Sequence, residues 1–290
     1  MTLQAISSAA TIALASTIVV LLAIKSWHFM AQPFAASRNF PNSIMVESAQ
    51  RFRDQLERLK GEQALYLTLT LMFFVTFGIA ILLRPQDTYG KLPGWQNLLV
   101  LSIVVLGAAY GVYRFVKVII QRRYVAYIRD ANIAVGHSLQ RLTTDQIRVF
   151  HEVACAAGVI DNVVVGLQGV YAVNVVALKA GKDNRVRLRG EKLSFAPGKV
   201  TYSIASAGQK ARQLTKVLQK ETGHKVRVRS VIAVPGWEIE SQTGEDYLVV
   251  NERNLAMMRG WKNEKDFLMN EDVEAINRYL TERNTVSSNQ

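Results

Sequence analysis

Long stretches without charged side chains alternate with mixed sequence in the N-terminal part of the chain. Three of them predict helices at about residues 5–24, 64–83 and 97–116, the third being interrupted by Arg114 near its end. A helix needs roughly 20 apolar residues to cross the hydrocarbon core of a bilayer. The pattern therefore predicts three transmembrane helices, with buried core helices of a soluble protein as the alternative.

Positive charge is distributed unevenly around these stretches. Residues 25–63 carry six Lys and Arg side chains, and Arg122 and Arg123 follow the third stretch, whereas the connection 84–96 carries only two. Lys and Arg concentrate on the cytoplasmic side of membrane proteins. We therefore predict a multi-pass protein of the inner (cytoplasmic) membrane, with its N-terminus outside and its C-terminal domain in the cytoplasm.

Residues 43–62, between the first two predicted spans, combine good helix formers with apolar positions at helical spacing. This pattern predicts an amphipathic cytoplasmic helix that lies on the membrane surface or packs against the cytoplasmic domain. The predicted organisation is therefore a transmembrane region at 1–123, a cytoplasmic α/β domain at 124–284 and a flexible tail at 285–290.

Short β-branched runs and amphipathic segments alternate after residue 124, as is typical of an α/β domain. The predicted elements are, in order, a helix at 131–143, strands at 148–154, within 159–179 (two, joined by a Gln168-Gly169 turn), at 185–189 and at 192–195, a helix at 203–221, strands at 226–234 and 247–250, and helices at 254–258 and 271–282. This order predicts a central mixed sheet flanked by helices.

The predicted hairpin carries the motif for a resemblance to a known family. Residues 159–179 read VIDNVVVGLQGVYAVNVVALK. This segment resembles the central hairpin of the NERD (nuclease-related) domain, whose first strand carries IDH and whose second strand carries GVFVIExK. The family's Asp falls on Asp161, its Glu on Asn174 and its Lys on Val176. The resemblance implies a restriction-endonuclease-like fold with a degenerate catalytic motif.

Weaker matches extend the resemblance over roughly residues 134–261. Gly136 and the leucines that follow are similar to the family's opening GE…L helix, with the Glu falling on His137. The segment AGQKARQLTKVL, which contains Gln209, resembles the Q…A…L helix after the hairpin, and VPGW with YLVVNERNL resembles the closing strand and helix. By this resemblance, the catalytic positions are Asp161, Asn174, Val176, His137 and Gln209.

Nucleases of this fold hold Mg²⁺ with the Asp and Glu carboxylates, and the Lys positions or activates the attacking water. Mg²⁺ requires hard oxygen ligands in tight octahedral geometry. Asn174 supplies one neutral oxygen and Val176 supplies none, so we expect no cleavage. Asp161 is then a remnant metal ligand or a carboxylate that caps a backbone turn. Mg²⁺ is expected as a cofactor only if the altered site is active.

Other residue types exclude several classes of site. The single cysteine, Cys155, excludes a disulfide framework, and the four histidines show no metal-ligand spacing, so zinc is not expected. No loop of the G-x-x-x-x-G-K-[ST] type is present. We predict no other cofactor and no small-molecule substrate.

Positive charge is concentrated behind the hairpin, in a chain whose formal net charge is +12. Residues 179–229 contain fourteen Lys and Arg against three Asp and Glu. Such a zone is typical of contact with a phosphate backbone, and attraction to anionic lipid or plain solubility are the alternatives. The predicted nucleic-acid contact set is Lys182, Arg185, Arg187, Arg189, Lys192, Lys210, Arg212, Lys216 and Lys220.

These patterns together predict a membrane-anchored, catalytically inactive nuclease-related protein. It is expected to bind DNA, or a DNA-processing partner, at the cytoplasmic face of the membrane. One alternative is an active metal-dependent nuclease with an altered site. The other is a structural or docking component of a membrane protein assembly, in which the partners are lipid and protein.

Overall fold

A computed structural model of the protein describes residues 13–15, 17–18, 22, 46–82, 94–143, 147–179, 184–197, 200–241, 247–259, 261 and 266–284. The chain divides into two compact units. The first comprises Met1–Arg38 and Gln55–Tyr124, and the second comprises Asn39–Asp54 and Val125–Gln290.

Two long helices dominate the first unit. Helix α1 covers Gln50–Leu82 and helix α2 covers Gly94–Gln140, so each of them also extends into the residues of the second unit. Within the first unit, Arg114 Nη2 donates a hydrogen bond of 3.0 Å to the Tyr66 hydroxyl, and Arg122 Nη1 donates one of 2.6 Å to Gln63 Oε1. These polar contacts join the two helices at their charged ends.

In the part of the chain that the structure describes, no helix combines the length and the apolarity needed to cross a membrane. The predicted spans at 64–83 and 97–116 fall largely within α1 and α2, where the uncharged sequence continues into charged sequence. Most of the predicted span at 5–24 lies outside the described residues. The structure therefore does not bear out a three-helix transmembrane region, and the predicted topology stays a prediction.

Among the residues that the structure describes in the second unit, nine strands form two sheets. The strands are β1 (Ile147–Cys155), β2 (Gly158–Gly166), β3 (Gly169–Val175), β4 (Arg185–Arg189), β5 (Lys192–Ala196), β6 (Val200–Ser203), β7 (Val228–Ala233), β8 (Glu238–Ser241) and β9 (Tyr247–Val250). The larger sheet has the order β1-β2-β3-β7-β9, and the smaller has the order β6-β5-β4-β8. Both are mixed, because β7 and β9 join β3 in parallel and β8 joins β4 in parallel.

The β2–β3 hairpin forms at the predicted place. Its turn ends at Gly169, whose φ of +123° lies in the region that favours glycine. A side chain there would also approach the backbone oxygen of Asp266 to 3.2 Å. The turn pairs Gly166 with Gly169 and places Asn162 opposite Val173. This register decides which hairpin side chains face each helix layer.

Helices cover both faces of the larger sheet. On one face, α3 (Ala205–Thr222) and α4 (Asn270–Arg283) bury a core that includes Phe150, Ile160 and Leu218. On the other face, the C-terminal part of α2 packs Leu139 against Val164 and the neighbouring strands. The predicted α/β class, a mixed sheet flanked by helices, is thus confirmed. A 3-10 helix, Leu255–Arg259, replaces the predicted helix at 254–258.

The smaller sheet shares an apolar cluster with the larger one, to which β7 contributes Ile232 and β9 contributes Val249. Phe195 packs against Trp237 with ring centroids 4.7 Å apart, and Val186 and Leu193 are buried in the same cluster. The β4–β5 pair was predicted from alternating charge. Strands β6 and β8 were not predicted, because their segments VTYS and EIES lack the continuous apolar run that marks the equally short β9, YLVV.

Residues 46–49, which precede α1, are hydrogen-bonded to other parts of the second unit. The N–H of Val46 donates a 3.3 Å hydrogen bond to the Asn284 carbonyl, and the Ser48 hydroxyl donates one of 3.2 Å to the Asn132 carbonyl. Gly136 is required at this contact, because a Cβ there would clash with the Ser48 side chain. Of the predicted amphipathic helix at 43–62, the described residues are helical from Gln50 onward, and this part is the beginning of α1, which continues past residue 62.

Candidate functional site

Asp161 of β2 is buried, and both of its carboxylate oxygens are engaged. The last β2–β3 ladder pair in this direction is Asn162–Val173. Beyond this pair, the N–H of Val175 donates a 2.7 Å hydrogen bond to Asp161 Oδ2. The side chain of Asp161 thus takes the place of the backbone carbonyl that a continued β2–β3 ladder would supply. Asp161 Oδ1 accepts a hydrogen bond from Nη2 of Arg51, which comes from the first turn of α1. Of the two predicted roles, this geometry matches the carboxylate that caps backbone.

A second carboxylate, that of Glu152, shares the same arginine. In the β1–β2 register Glu152 lies between the pairs His151–Asn162 and Val153–Ile160, opposite Asp161. Its φ of +53° is rare for a residue with a side chain. The Arg51 N–H donates to Glu152 Oε2 at 3.0 Å, and Arg51 Nε lies 3.9 Å from Oε1. The unusual backbone conformation therefore coincides with a two-carboxylate, one-guanidinium cluster.

Opposing effects act on the two carboxyl groups of this cluster. Burial raises the pKa of Asp161, and the Val175 N–H and the positive charges of Arg51 and Lys210 oppose that rise. Burial also raises the pKa of Glu152, and the negative charge of the neighbouring Asp161 raises it further. The backbone N–H and the positive charge of Arg51 act in the opposite direction and lower the pKa of Glu152. Buried charges of this kind are stable only when they are paired. Arg51 is the cation that pairs them.

Asn174, at the position of the family's Glu, meets a lysine from helix α3. Lys210 Nζ donates a 2.7 Å hydrogen bond to the Val159 carbonyl and one of 3.3 Å to Asn174 Oδ1. Asn174 is buried, and its Nδ2 has no hydrogen-bond partner among the described residues. The hairpin therefore receives an ammonium group from a helix, whereas the family motif has its lysine on the strand.

Lys210, a member of the predicted nucleic-acid contact set, is half-buried and turned toward the hairpin. Its neighbours Ala207 and Ala211 are buried against the sheet, which brings the lysine to the edge of the packed face. Gly158, whose φ is +118°, lies beside this side chain, and a Cβ there would make an ordinary van der Waals contact with Lys210 Cε at 3.5 Å.

The other motif positions do not join Asp161. Val176 is buried among apolar residues that include Ile232 and Trp237, where it contributes packing. His137 and Gln209 are exposed. Within the described residues neither of these two side chains makes a hydrogen bond to Asp161. The structure therefore brings together Asp161, Asn174 and Lys210 from the predicted residues and adds Arg51 and Glu152.

Arg51 and Glu152 carried no recognisable signal in the sequence. They are separated by about a hundred positions and belong to segments with ordinary helix and strand patterns. A charged residue at the centre of a β-branched strand, as in RVFHEVAC, was the one available hint. Such a residue needs a partner if the strand is central.

The donor set at Asp161 does not fit Mg²⁺. Magnesium requires several free oxygen ligands in octahedral arrangement. Here the oxygens of Asp161 are taken by Arg51 and Val175, Glu152 is held by Arg51, and Asn174 Oδ1 is held by Lys210. Two cationic side chains also repel a divalent cation. Across the described ranges, no group of three or more His, Cys, Asp or Glu residues forms a metal-binding cluster.

The predicted basic zone separates into two surfaces. The first, which we call the β4 patch, consists of Arg185, Arg187, Arg189 and Lys192. The arginines alternate outward along β4 as predicted, with Val186 buried between them. Glu240 of the unpredicted strand β8 lies 2.6 Å from Arg187 Nη2 and 3.6 Å from Arg185 Nη1. The patch is thereby partly neutralised. Lys182 lies outside the described residues.

The second surface, the α3 stripe, consists of Arg212, Lys216 and Lys220. All three side chains are exposed, and their four-residue spacing places them along one side of the helix. None of the three forms an ion pair within the described part of the chain. Helix α3 therefore presents a row of cations to solvent, while its opposite side packs Leu214 and Leu218 into the core.

Comparison of the chain with protein-family models, with curated proteins and with solved structures found no significant match in any of the three.

Proposed function

We propose that the second unit binds the phosphate backbone of duplex DNA through the α3 stripe and does not cleave it. The observation that carries this proposal is the row of three exposed cations at Arg212, Lys216 and Lys220, none with an ion-pair partner in the described residues. Lysine and arginine in such a row neutralise phosphates without reading the base sequence. Binding is then sequence-independent and strongly dependent on salt.

The β4 patch is a secondary contact in this proposal. Glu240 sits between Arg185 and Arg187, so a phosphate must compete with a carboxylate already in place. Arg189 and Lys192 lie at the turn end of the same hairpin and are exposed. We therefore assign the larger part of the binding free energy to the α3 stripe and the smaller part to the β4 patch.

The occupied site at Asp161 supports the proposed absence of cleavage. A metal would have to displace the guanidinium of Arg51 from a buried carboxylate, and it would gain only a neutral oxygen from Asn174. The unit is then a binding module on a nuclease-like hairpin. It would act by bringing DNA, or a DNA-processing partner, to the place where the protein resides.

The test is a titration of the purified full-length chain with a fluorescent 20-base-pair duplex at several salt concentrations. Each phosphate contact contributes a slope near −0.9 in log affinity against log salt. Changing Arg212, Lys216 and Lys220 to Glu should weaken binding to all sequences alike and flatten the slope by roughly three contacts' worth. Changing Arg185, Arg187 and Arg189 to Glu should have a smaller effect.

Two results would overturn the proposal. Failure of the wild-type chain to bind duplex at low salt would favour the docking component, in which the domain binds only protein. Cleavage of plasmid with Mg²⁺ or Mn²⁺ that Asp161→Ala abolishes would favour the nuclease with an altered site.

We further propose that the first unit contacts membrane lipid. Large apolar side chains such as Leu71, Phe74 and Leu106 are exposed along α1 and α2. Exposed apolar surface of this extent marks an interaction site. The predicted orientation, with the α/β unit in the cytoplasm, is supported by the distribution of Lys and Arg along the sequence. Fractionation of membranes, described in the Discussion, tests this part of the proposal.

A further inference from the structure

A concave pocket lies between helix α3 and the first half of β7. Its volume is about 450 Å³, and its wall is built from the side of α3 that carries Arg212, Thr215 and Lys216, together with Arg227, Ser230 and Trp261. A space of this size accommodates a small molecule, at the lower end of the range for ligand sites. It is distinct from the Asp161 cluster, none of whose residues lines it.

The wall of the pocket is strongly cationic. Four basic side chains line it, Arg212, Lys216, Arg227 and Arg229, and no Asp or Glu is among the lining residues. Arg229 is fixed in place, because Nε lies 2.7 Å from Asp266 Oδ2 and the guanidinium stacks 4.5 Å from the Trp261 ring centroid. The neighbouring Arg212 and Lys216 have no such carboxylate in the described residues. The pocket thus favours an anion.

A buried hydroxyl on the pocket wall points to the same class of ligand. Ser230 is 3 % exposed, and its Oγ has no hydrogen-bond partner in the described part of the chain. Val228 and Ile232, two residues away on either side, pack against α3 residues, so the alternation of the strand turns Ser230 toward α3 as well. A buried polar group without a partner is costly and normally has a use.

From these observations we infer that the pocket between α3 and β7 binds a phosphate group, with Arg212 and Lys216 supplying charge and the Ser230 hydroxyl donating a hydrogen bond. Guanidinium, ammonium and hydroxyl donors without a competing carboxylate are the set that recognises phosphate oxygens. The phosphate belongs either to a free small phosphoester or to the end of a nucleic-acid strand. Both sources share the same chemistry.

This inference shares Arg212 and Lys216 with the proposed DNA contact, but it has its own determinant in Ser230. A duplex that lies along the exposed α3 stripe contacts Lys220 and does not reach a hydroxyl in the pocket wall. A phosphate that enters the pocket contacts Ser230 and leaves Lys220 untouched. The two proposals can therefore fail separately.

The experiment titrates the purified full-length chain with pyrophosphate by calorimetry, and with a 20-base-pair duplex that either carries or lacks 5′-phosphates. Ser230→Ala should weaken pyrophosphate binding about tenfold, because a hydrogen bond to a charged group is lost. It should leave binding of the unphosphorylated duplex unchanged. Lys220→Glu should do the reverse. Ser194→Ala, on β5 outside the pocket, is the matched serine control and should change neither.

The outcomes separate the two sources. Pyrophosphate binding that depends on Ser230, with no gain in affinity from 5′-phosphates, identifies a site for a free small phosphate compound. A gain in affinity from 5′-phosphates that Ser230→Ala removes identifies a strand end. If pyrophosphate does not bind at millimolar concentration and 5′-phosphates have no effect, or if Ser230→Ala alters neither, the inference is wrong. Misfolding does not confuse the result, because removing an unpaired buried hydroxyl should not lower the thermal midpoint.

Discussion

The two units of the molecule expose their large apolar side chains to opposite extents. In the first unit, Leu71 is 62 % exposed and Leu106 is 69 % exposed, whereas Phe150 and Ile160 in the second unit are at 1 % and 0 %. The sequences of the two regions are both rich in apolar residues, but only the second alternates them with polar positions at the period of strands and amphipathic helices. Apolar content alone therefore does not predict a core.

This difference has an energetic meaning. Burial of apolar surface is the main favourable contribution to folding, so the second unit obtains its stability from its own side chains. In the first unit, many apolar side chains stay exposed among the described residues. They gain this stabilisation only where an apolar environment, such as lipid or a protein partner, covers them. Substitutions of the same chemical kind should thus have different consequences in the two units.

The largest expected difference in the free energy of unfolding is between alanine substitutions of two phenylalanines, one in each unit. Phe150→Ala in β1 should lower the free energy of unfolding by about 3–5 kcal/mol, because it opens a cavity in a packed core. Phe74→Ala in α1, where the ring is exposed, should change it by about 0.5 kcal/mol or less. Urea unfolding of the purified full-length variants, followed by the circular dichroism of the sheet, measures both. Equal effects would contradict the contrast between the units.

The role of the exposed apolar side chains of α1 and α2 can be tested by replacing two of them with charged residues. Leu71→Asp together with Leu106→Asp should move the protein from the membrane pellet to the supernatant after alkaline extraction. Where these side chains contact lipid, an aspartate must leave water for an apolar environment, at a cost of up to about 2.5–3.5 kcal/mol. The control Lys220→Asp, on the α3 stripe, should leave the protein in the pellet. Wild-type protein in the supernatant would contradict stable insertion of these side chains into lipid.

Within the second unit, Arg51 should contribute more to stability than an exposed arginine of the same helix. Arg51→Met leaves Glu152 and Asp161 without their cation, and this should cost about 2 kcal/mol, less than in a fully buried pair because the Arg51 side chain is partly exposed. Arg58→Met, at an exposed position of α1, should cost about 0.5 kcal/mol or less. Adding Asp161→Asn to Arg51→Met should restore part of the loss, as urea unfolding would show.

The smallest predicted effect concerns pH. Burial lowers the pKa of His151, whose Nδ1 lies 2.6 Å from Asn162 Oδ1. The unfolded chain therefore binds a proton near the ordinary pKa of 6.5 that the folded chain does not bind. The free energy of unfolding should fall as the pH drops below that value, by at most about 1.4 kcal/mol per pH unit, until the lowered pKa is reached.

Thermal midpoints of unfolding, measured at pH values between 6.5 and the lowered pKa of His151, test this prediction. His151→Gln should flatten the dependence between pH 6.5 and the lowered pKa. His137→Gln, at an exposed position, should leave the dependence as it is in the wild type. A profile that His151→Gln does not alter would show that another group titrates.

The sequence by itself determined the elements whose side chains repeat locally. The β2–β3 hairpin, β9, helix α3 and the alternating arginines of β4 lie where the pattern predicts them, because strand and helix periods are set by neighbours a few residues apart. The α/β class followed from their order. Strands β6 and β8 were missed, since VTYS and EIES contain polar residues and lack the continuous apolar run of the equally short β9.

Only the tertiary structure decided what the charged side chains meet. Arg51 reaches Asp161 across more than a hundred residues, Lys210 turns inward to Asn174, and Glu240 neutralises part of the β4 patch. Each of these contacts joins segments whose local patterns are independent of one another. A charge is visible in the sequence, but its partner depends on which elements become neighbours, and that depends on packing of the whole unit.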